Sequence, residues 1–211
     1  MKPVVDYSIY LVTDEACLHG RPLLECVEEA LAAGVTLVQY RAKAADGGVL
    51  YAEACKLKEL CDKYNVPLII NDRLDIALAV GAAGVHLGQD DLPCAVARRL
   101  LGEDFIIGVS AHNPAEAVQA VSEGADYLGC GAVFGTATKH DVAKLGLENL
   151  RAIRKAVAVP MVGIGGITAE NISELSGCGL AGVAVVSALF AQPDAKAAAR
   201  RMLALSQSLD G

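Results

Sequence analysis

The chain has 211 residues, of which 54% are hydrophobic and 20% charged, and its formal net charge is −7. A chain of this length and composition can bury a large core in one domain, which excludes an intrinsically disordered protein. The acidic balance argues against nucleic acid or an anionic membrane surface as a partner. It does not exclude an anionic small molecule as a ligand, because the attraction of two cations at contact distance outweighs the repulsion of a distant net negative charge.

Seven cysteines are scattered along the chain without a C-x-x-C pair. This pattern predicts reduced thiols packed as small apolar groups, as in a cytoplasmic protein. The first 15 residues, "MKPVVDYSIYLVTDE", carry acids where a signal peptide needs an apolar run. No apolar stretch approaches the ~20 residues that a membrane-spanning helix needs. We therefore expect a soluble, cytoplasmic protein.

Eight apolar runs follow one another along the chain, and segments with helical periodicity separate them. Of these segments, 21–34 ends on Gly34, and 113–124 begins with an Asn-Pro pair and closes on Gly124. The predicted strands are 7–13, 35–41, 67–71, 83–88, 105–111, 126–134, 159–166 and 181–187.

Strands that consist almost entirely of Val, Ile, Leu and Gly are typical of a parallel sheet buried on both faces. Eight strand–helix units in about 200 residues predict a single-domain TIM (β/α)8 barrel over residues 1–211. A doubly wound open sheet is the alternative, but the segment "YLVTDEACLHG" lacks the G-x-G-x-x-G turn which that fold places after its first strand. No linker or change in composition marks a domain boundary.

Unusual polar residues end one predicted strand after another. Because the chemistry of a TIM barrel lies at the carboxyl ends of its strands, we expect these residues to share one site. Gln39, Arg41 and Lys43 occupy alternate positions, so on an extended strand all three would point to one side. The other candidates are Asn71 and Asp72 after strand three, Asp91 after strand four, Ser110 at the end of strand five, and Thr136, Thr138 and Lys139 after strand six.

Several of these features have a second interpretation. The glycines of 163–166, with Val186 and Ser187 after strand eight, predict a phosphate cradle, although a tight turn alone also needs glycines. Asp72 and Asp91 suit Mg²⁺, which takes only one or two protein carboxylates, but Asp also caps helices.

The loop after strand six and the histidines are also open to two interpretations. The loop that carries Lys139 is long enough to act as a lid, or it is a solvated surface loop. His86 is expected to be a hydrogen-bonded group inside the barrel, and His112 to reach the site. No zinc-ligand spacing is present among the histidines and cysteines.

Six segments together resemble the thiamin phosphate synthase (thiamin-phosphate pyrophosphorylase) family: "VQYRAK", "IINDRLDIALAVGAAGVHLGQDDLP", "IIGVSAHN", "GADYLGCGAVFGTATK", "VPMVGIGGIT" and "GVAVVSALF". They occur in order and at matching spacing over nearly the whole chain. The resemblance implies a TIM barrel and a transferase that joins 4-amino-2-methyl-5-hydroxymethylpyrimidine diphosphate to a thiazole phosphate or its carboxylated form. Thiamin phosphate, diphosphate and, in the carboxylated case, CO₂ leave.

The resemblance also implies residue roles. Arg41, Lys43, Ser110 and Lys139 are the implied catalytic group, and Mg²⁺ is the implied cofactor. Ala42 departs from the family pattern, which often has an acid there, and Tyr40 precedes Arg41; both positions should point away from the site. The implied assignments are Gln39, Arg41, Lys43, Asn71, Ser110 and Lys139 for the pyrimidine diphosphate, Asp72 and Asp91 for Mg²⁺, and Thr136, Thr138, Gly166, Val186 and Ser187 for the thiazole phosphate.

The implied reaction fits residues that include no catalytic triad. The CH₂ carbon of the pyrimidine resembles a benzylic centre, so diphosphate can depart before the thiazole nitrogen attacks. Catalysis then consists of stabilising the leaving charge and positioning the second substrate. Two alternatives remain: a thiazole tautomerase of the same barrel with His112 as its base, or a non-catalytic barrel that binds a phosphate ligand. Neither would need the diphosphate and metal residues.

Overall fold

The computed structural model describes residues 2–135, 145–192 and 194–209. Within these ranges, eight parallel strands pair in sequence order, and the first also pairs with the last, so the sheet closes into a barrel. The predicted TIM barrel is therefore confirmed. The strands are β1 Ile9–Val12, β2 Leu37–Tyr40, β3 Leu68–Asn71, β4 Gly84–Leu87, β5 Ile106–Ala111, β6 Tyr127–Gly131, β7 Met161–Ile164 and β8 Gly182–Val185.

The helices surround this barrel, and the three helix limits read from the sequence are confirmed. Asn113 caps the helix α5 (Pro114–Ser122) by accepting a hydrogen bond from the backbone of Glu116 at 2.9 Å. Gly34 follows α1 (Leu23–Ala32) and Gly124 follows α5, with φ of +106° and +100°, a conformation that glycine adopts without strain. The helices are α1 Leu23–Ala32, α2 Gly47–Lys63, α3 Leu74–Val80, α4 Cys94–Leu101, α5 Pro114–Ser122, α6 Gly146–Ala156, α7 Ser187–Phe190 and α8 Ala195–Gln207.

The connection between β7 and β8 differs from the expected helix. It contains only a 3₁₀ helix, Ile172–Leu175. The next residues include Gly177 and Gly179, both with positive φ. Because glycine is a poor α-helix former and these two adopt left-handed conformations, the segment cannot continue as an α-helix.

Alternate strand residues build two apolar layers. On β1, Tyr10 and Val12 join the layer inside the barrel, whereas Ile9 and Leu11 pack against the helices. Tyr40 lies in the outer layer, where its hydroxyl donates to Glu53 of α2, so it points away from the barrel interior as predicted. The polar residues at the strand ends thus lie on top of a packed inner layer.

Two expectations from composition can also be compared with the structure. All seven cysteines are free thiols, and five of them are buried, as predicted. No helix in the described ranges combines the length and apolar character needed to cross a membrane.

Candidate active site

A cleft opens at the carboxyl-terminal end of the barrel, and residues from the ends of all eight strands line it. The space in and around it, open solvent included, is about 1200 Å³. Thr136, Thr138 and Lys139 lie outside the described residues, as does most of the expected lid loop. Every other predicted site residue lines this cleft: Gln39, Arg41, Lys43, Asn71, Asp72, Asp91, Ser110, Gly166, Val186 and Ser187.

The geometry of the second strand differs from the prediction that one extended strand carries three polar residues. β2 ends at Tyr40, so Arg41 and Lys43 lie beyond it. The chain leaves the sheet here because the Thr13 hydroxyl, just after β1, bonds both backbone groups of Arg41. It accepts from the Arg41 amide at 2.9 Å and donates to the Arg41 carbonyl at 3.3 Å. Both cations nevertheless reach the same cleft as Gln39.

Each cation has an acidic partner. The Arg41 guanidinium donates through Nη1 to Asp14 at 2.9 Å, and both side chains are largely buried. The Lys43 ammonium lies 3.7 Å from Asp72. Asp14 is a site residue that the sequence pattern does not predict, since its position before a short 3₁₀ helix suggests only a cap, which it also provides.

Asp72 and Asp91 are close neighbours. Neither is the N-cap of the helix that follows it, because Arg73 and Pro93 occupy those positions. Burial, and then the Asp91 carboxylate beside it, raise the pKa of Asp72 to about 6, although Lys43 opposes the shift.

Gly88 allows Asp91 to fold back toward the strand end. The amide of Gly88 donates to the Asp91 carboxylate at 2.7 Å, and a Cβ on Gly88 would lie 2.9 Å from the same oxygen. Asp72 itself has a φ of +59°, a conformation that Asp tolerates better than most residues. The backbone at both positions thus brings the two carboxylates together at the cleft.

These two carboxylates fit a hard divalent cation. Two half-buried anions in contact repel each other, and a bound Mg²⁺ would remove that repulsion while accepting their oxygens as ligands. Among the ionisable groups of the described lining, the carboxylates of Asp14, Asp72 and Asp91 outnumber the two cations Arg41 and Lys43. Among these described residues, an added positive charge would favour the binding of a polyanionic ligand.

The loops after β7 and β8 form the opposite wall of the cleft. Gly165 and Gly166 have φ of +96° and +68°, and a Cβ on Gly166 would lie 2.0 Å from the carbonyl oxygen of Gly135. Asn171 fixes this turn by donating to the Gly166 carbonyl at 2.8 Å. Gly163 instead faces the outer layer, where a Cβ would lie 2.9 Å from Leu180. The glycine turn that lines the cleft is therefore shorter than the predicted span of 163–166.

Below the cleft, a chain of four hydrogen bonds crosses the barrel interior. The Gln39 amide nitrogen donates to the Tyr10 hydroxyl at 2.8 Å, which lies 2.8 Å from the Tyr127 hydroxyl. That hydroxyl is 3.0 Å from Nδ1 of His86, whose Nε2 is 3.1 Å from Oγ of Ser110. The expectation that His86 is hydrogen-bonded inside the barrel is confirmed.

The sequence pattern does not single out the two tyrosines of this hydrogen-bond chain. Tyr10 and Tyr127 read as apolar strand residues, and only their inward register reveals that their hydroxyls meet. Their hydroxyls were the only available signal in the sequence, because a buried tyrosine hydroxyl needs a hydrogen-bond partner.

His112 also lines the cleft, and its Nδ1 lies 2.9 Å from the carboxylate of Glu116.

Comparisons with known proteins agree with this geometry. A family-wide sequence model described as thiamine monophosphate synthase matches residues 9–189. The thiamine-phosphate synthase of Ruminiclostridium cellulolyticum is 52% identical over 203 residues, which cover 96% of this chain and 97% of that protein. The thiamine-phosphate synthase of Chloroflexus aurantiacus is 51% identical, with coverages of 96% and 94%.

A solved structure extends the similarity to three dimensions. The thiamine phosphate pyrophosphorylase from Pyrococcus furiosus superposes with a TM-score of 0.90 at 37% sequence identity, covering 98% of both chains. The chain therefore belongs to the thiamine monophosphate synthase family.

Proposed function

We propose that this chain is a thiamin phosphate synthase, a transferase that condenses 4-amino-2-methyl-5-hydroxymethylpyrimidine diphosphate with a thiazole phosphate or its carboxylated form. The observation that carries the proposal is the convergence, in a member of this family, of all ten described candidate residues on one cleft. Its cations, paired carboxylates and glycine-rich wall suit a diphosphate at one side and a phosphate at the other.

The diphosphate side is assigned to the residues after β2, β3 and β4. Asp14 holds the Arg41 guanidinium through Nη1, which leaves its other N–H donors for phosphate oxygens. Lys43 adds a second positive charge from the same loop. Because no protein nucleophile is needed, these donors act by stabilising charge that grows on the leaving diphosphate.

Asp72 and Asp91 are the proposed ligands of Mg²⁺. When bound, Mg²⁺ would neutralise charge on the diphosphate oxygens and so favour their departure. The two carboxylates contribute their oxygens from adjacent loops, and the Gly88 amide orients Asp91 by its 2.7 Å hydrogen bond. Lys43, 3.7 Å from Asp72, lies where it can contact the same phosphate group.

The second substrate is assigned to the other wall. The backbone at Gly166, Val186 and Ser187 lines the cleft and offers N–H groups to a thiazole phosphate. Holding that phosphate fixes the position of the ring nitrogen relative to the pyrimidine CH₂ carbon, which is the positioning that the reaction requires. Thr136 and Thr138 remain assigned to this wall, and Lys139 to the diphosphate side, by resemblance alone.

A thiazole tautomerase is the second candidate, because the cleft also contains an imidazole–carboxylate pair. Glu116 accepts from the His112 backbone amide at 2.8 Å and lies 2.9 Å from its Nδ1, an arrangement that suits a general base. Such an isomerisation needs neither the pyrimidine diphosphate nor a metal.

The test is to incubate the purified protein with both substrates, with Mg²⁺ or with EDTA, and to measure thiamin phosphate and diphosphate by chromatography. A synthase forms both products in equal amounts with Mg²⁺ and loses turnover in EDTA. Isomerisation of the thiazole phosphate that persists in EDTA, without thiamin phosphate at any metal concentration, would replace the proposal with the tautomerase.

A further inference from the structure

We infer that Tyr127 and Tyr10 are positioning residues which order the protons of the buried chain from Gln39 to Ser110, so that Ser110 meets its ligand as a hydrogen-bond donor. The inference rests on the proposed function for what the ligand is, but the proton order is a property of the chain itself. It concerns four hydrogen bonds of 2.8–3.1 Å between side chains of β1, β2, β4, β5 and β6.

The order follows from counting donors. A tyrosine hydroxyl has one hydrogen, and the hydroxyl of the buried Tyr10 has two partners, Gln39 and Tyr127. Since the Gln39 amide nitrogen donates to Tyr10, the Tyr10 hydrogen goes to Tyr127. The hydrogen of Tyr127 then goes to the remaining partner of that residue, Nδ1 of His86.

The histidine passes the order on to Ser110. With Nδ1 of His86 acting as an acceptor, the ring is the neutral Nε2–H tautomer, and Nε2 donates to Ser110 Oγ. Ser110 thus accepts from inside the barrel, and its own hydrogen is directed to an acceptor in the cleft. Its backbone carbonyl is bonded separately by Gln89, so that contact leaves the hydroxyl unaffected.

Two glycines make room for the chain, which shows that the arrangement is built into the strands. A Cβ on Gly108 would lie 2.1 Å from the Tyr127 ring, and a Cβ on Gly129 would lie 2.9 Å from the His86 ring. Gly108 stands in register between His86 on β4 and Tyr127 on β6. Without a side chain at these two positions, both rings can cross the barrel toward each other.

The consequence is that Gln39 and Ser110 each present defined hydrogen-bond donors and acceptors to the cleft. Gln39 is committed through one N–H, which leaves its carbonyl oxygen and second N–H for a ligand. Ser110 has one hydrogen to donate into the cleft, so it pairs best with a ligand acceptor; a ligand N–H could use only the second lone pair of its oxygen and would leave that hydrogen unpaired. A substrate acceptor such as a phosphate oxygen or a ring nitrogen is therefore favoured at Ser110.

The proton order can be measured without substrate. Long-range ¹H–¹⁵N correlation spectra of protein labelled with ¹⁵N-histidine distinguish the two neutral tautomers and the imidazolium by the shifts of both ring nitrogens. The His86 signal is assigned by its loss in His86→Gln. We expect the Nε2–H tautomer at pH 7, and an Nδ1–H tautomer or an imidazolium would overturn the inference.

The kinetic test uses a matched pair of variants. Tyr127→Phe removes only the hydroxyl that joins Tyr10 to His86 in the hydrogen-bond chain. Tyr7→Phe is the control, because its ring centroid lies 5.1 Å from that of Tyr127 but its hydroxyl takes no part in the four bonds. We expect Tyr127→Phe to lower kcat/KM for the pyrimidine diphosphate roughly ten- to a hundred-fold, because the Ser110 hydroxyl would no longer be held as a donor to this substrate. The KM for the thiazole phosphate should change by less than about two-fold.

The outcomes separate this inference from the proposed function. If the wild type forms no thiamin phosphate, the proposed function fails, and the tautomer measurement still decides the proton order. If the wild type is active but Tyr127→Phe behaves like Tyr7→Phe, the positioning role is wrong. A loss that affects both substrates equally and follows a lowered melting temperature would also contradict it, because that is the result of a merely structural residue.

Discussion

At the scale of single residues, Arg41 carries the clearest prediction. Arg41→Ala should cost roughly 2–4 kcal/mol in kcat/KM for the pyrimidine diphosphate, the scale of losing one donor to the transition state. Arg21→Ala is the control, because Arg21 also pairs with an acid, Glu29, but lies outside the cleft. Steady-state rates of the two variants within a few-fold of each other would remove Arg41 from the catalytic group.

Asp72 and Asp91 give a prediction about stability. Because the pKa of Asp72 is raised to about 6, its ionisation opposes folding, and this cost grows as pH rises through the interval from its ordinary value to 6. In EDTA at pH 7, Asp91→Asn should therefore be more stable than the wild type, by at most about 1 kcal/mol after solvent screening.

The same variant should respond differently to metal. Mg²⁺ should raise the melting temperature of the wild type and have little effect on Asp91→Asn, which lacks one ligand. Calorimetric scans at pH 7 and at pH 5 check both statements, since protonation of Asp72 should reduce the difference at the lower pH. A variant that is less stable than the wild type in EDTA would contradict this account of the pair.

At the scale of elements, an ion cluster at the amino-terminal end of the barrel ties three segments together. Asp126, just before β6, accepts from Arg98 of α4 at 2.7 Å and from the Ile107 amide of β5 at 2.8 Å. The Lys2 ammonium contacts its other carboxylate oxygen. Arg98 is only 12% exposed, so without Asp126 its guanidinium would be a largely buried charge without its ionic partner.

Asp126→Asn should therefore destabilise the fold by about 1–3 kcal/mol, because a largely buried guanidinium loses its ionic partner. Glu170→Gln is the control, since its pair with Arg201 is exposed and its loss should leave the unfolding midpoint nearly unchanged. Urea unfolding measures both values, and equal midpoints for the two variants would contradict the prediction. Activity below the unfolding temperature should not change, since the cluster lies at the opposite end from the cleft.

The presence and order of the strands and helices could be predicted from the sequence more accurately than the residues at which they end. The eight strands follow from apolar runs, and the helix limits at Gly34 and Asn113 follow from local capping chemistry. The end of β2 was misplaced, because the bond from Thr13 that draws Arg41 off the sheet joins residues 28 positions apart. The short 3₁₀ connection after β7 does not follow from helical periodicity, because it depends on the left-handed conformations of Gly177 and Gly179.

The site could be predicted as a set of residues, but its internal contacts could not. Strand ends of a parallel barrel necessarily meet, which is why the candidate residues converge. Asp14, Tyr10 and Tyr127 were missed because their roles arise from pairing across strands, with partners 27 to 117 residues away. Such pairings depend on barrel register, and sequence periodicity does not specify it.

At the scale of the whole molecule, the thiols report on the integrity of the barrel. Burial raises the pKa of Cys61 and of Cys130 to about 12, so at pH 8 both remain protonated and unreactive. A disulfide reagent at pH 8 should reach at most Cys17 and Cys55, the two that are not buried, and all seven after unfolding in guanidinium. Rapid native reaction of Cys61 or Cys130 would contradict the packing.

The central claim is that the strand ends of this barrel hold a diphosphate together with a divalent cation. Calorimetric titration of inorganic diphosphate into the protein tests it most directly, with Mg²⁺, with EDTA, and with the Asp72→Asn/Asp91→Asn double variant. One diphosphate should bind per chain in the presence of Mg²⁺, and binding should be lost in EDTA and in the double variant. Equal affinity with and without Mg²⁺, or no binding in either condition, would contradict the account.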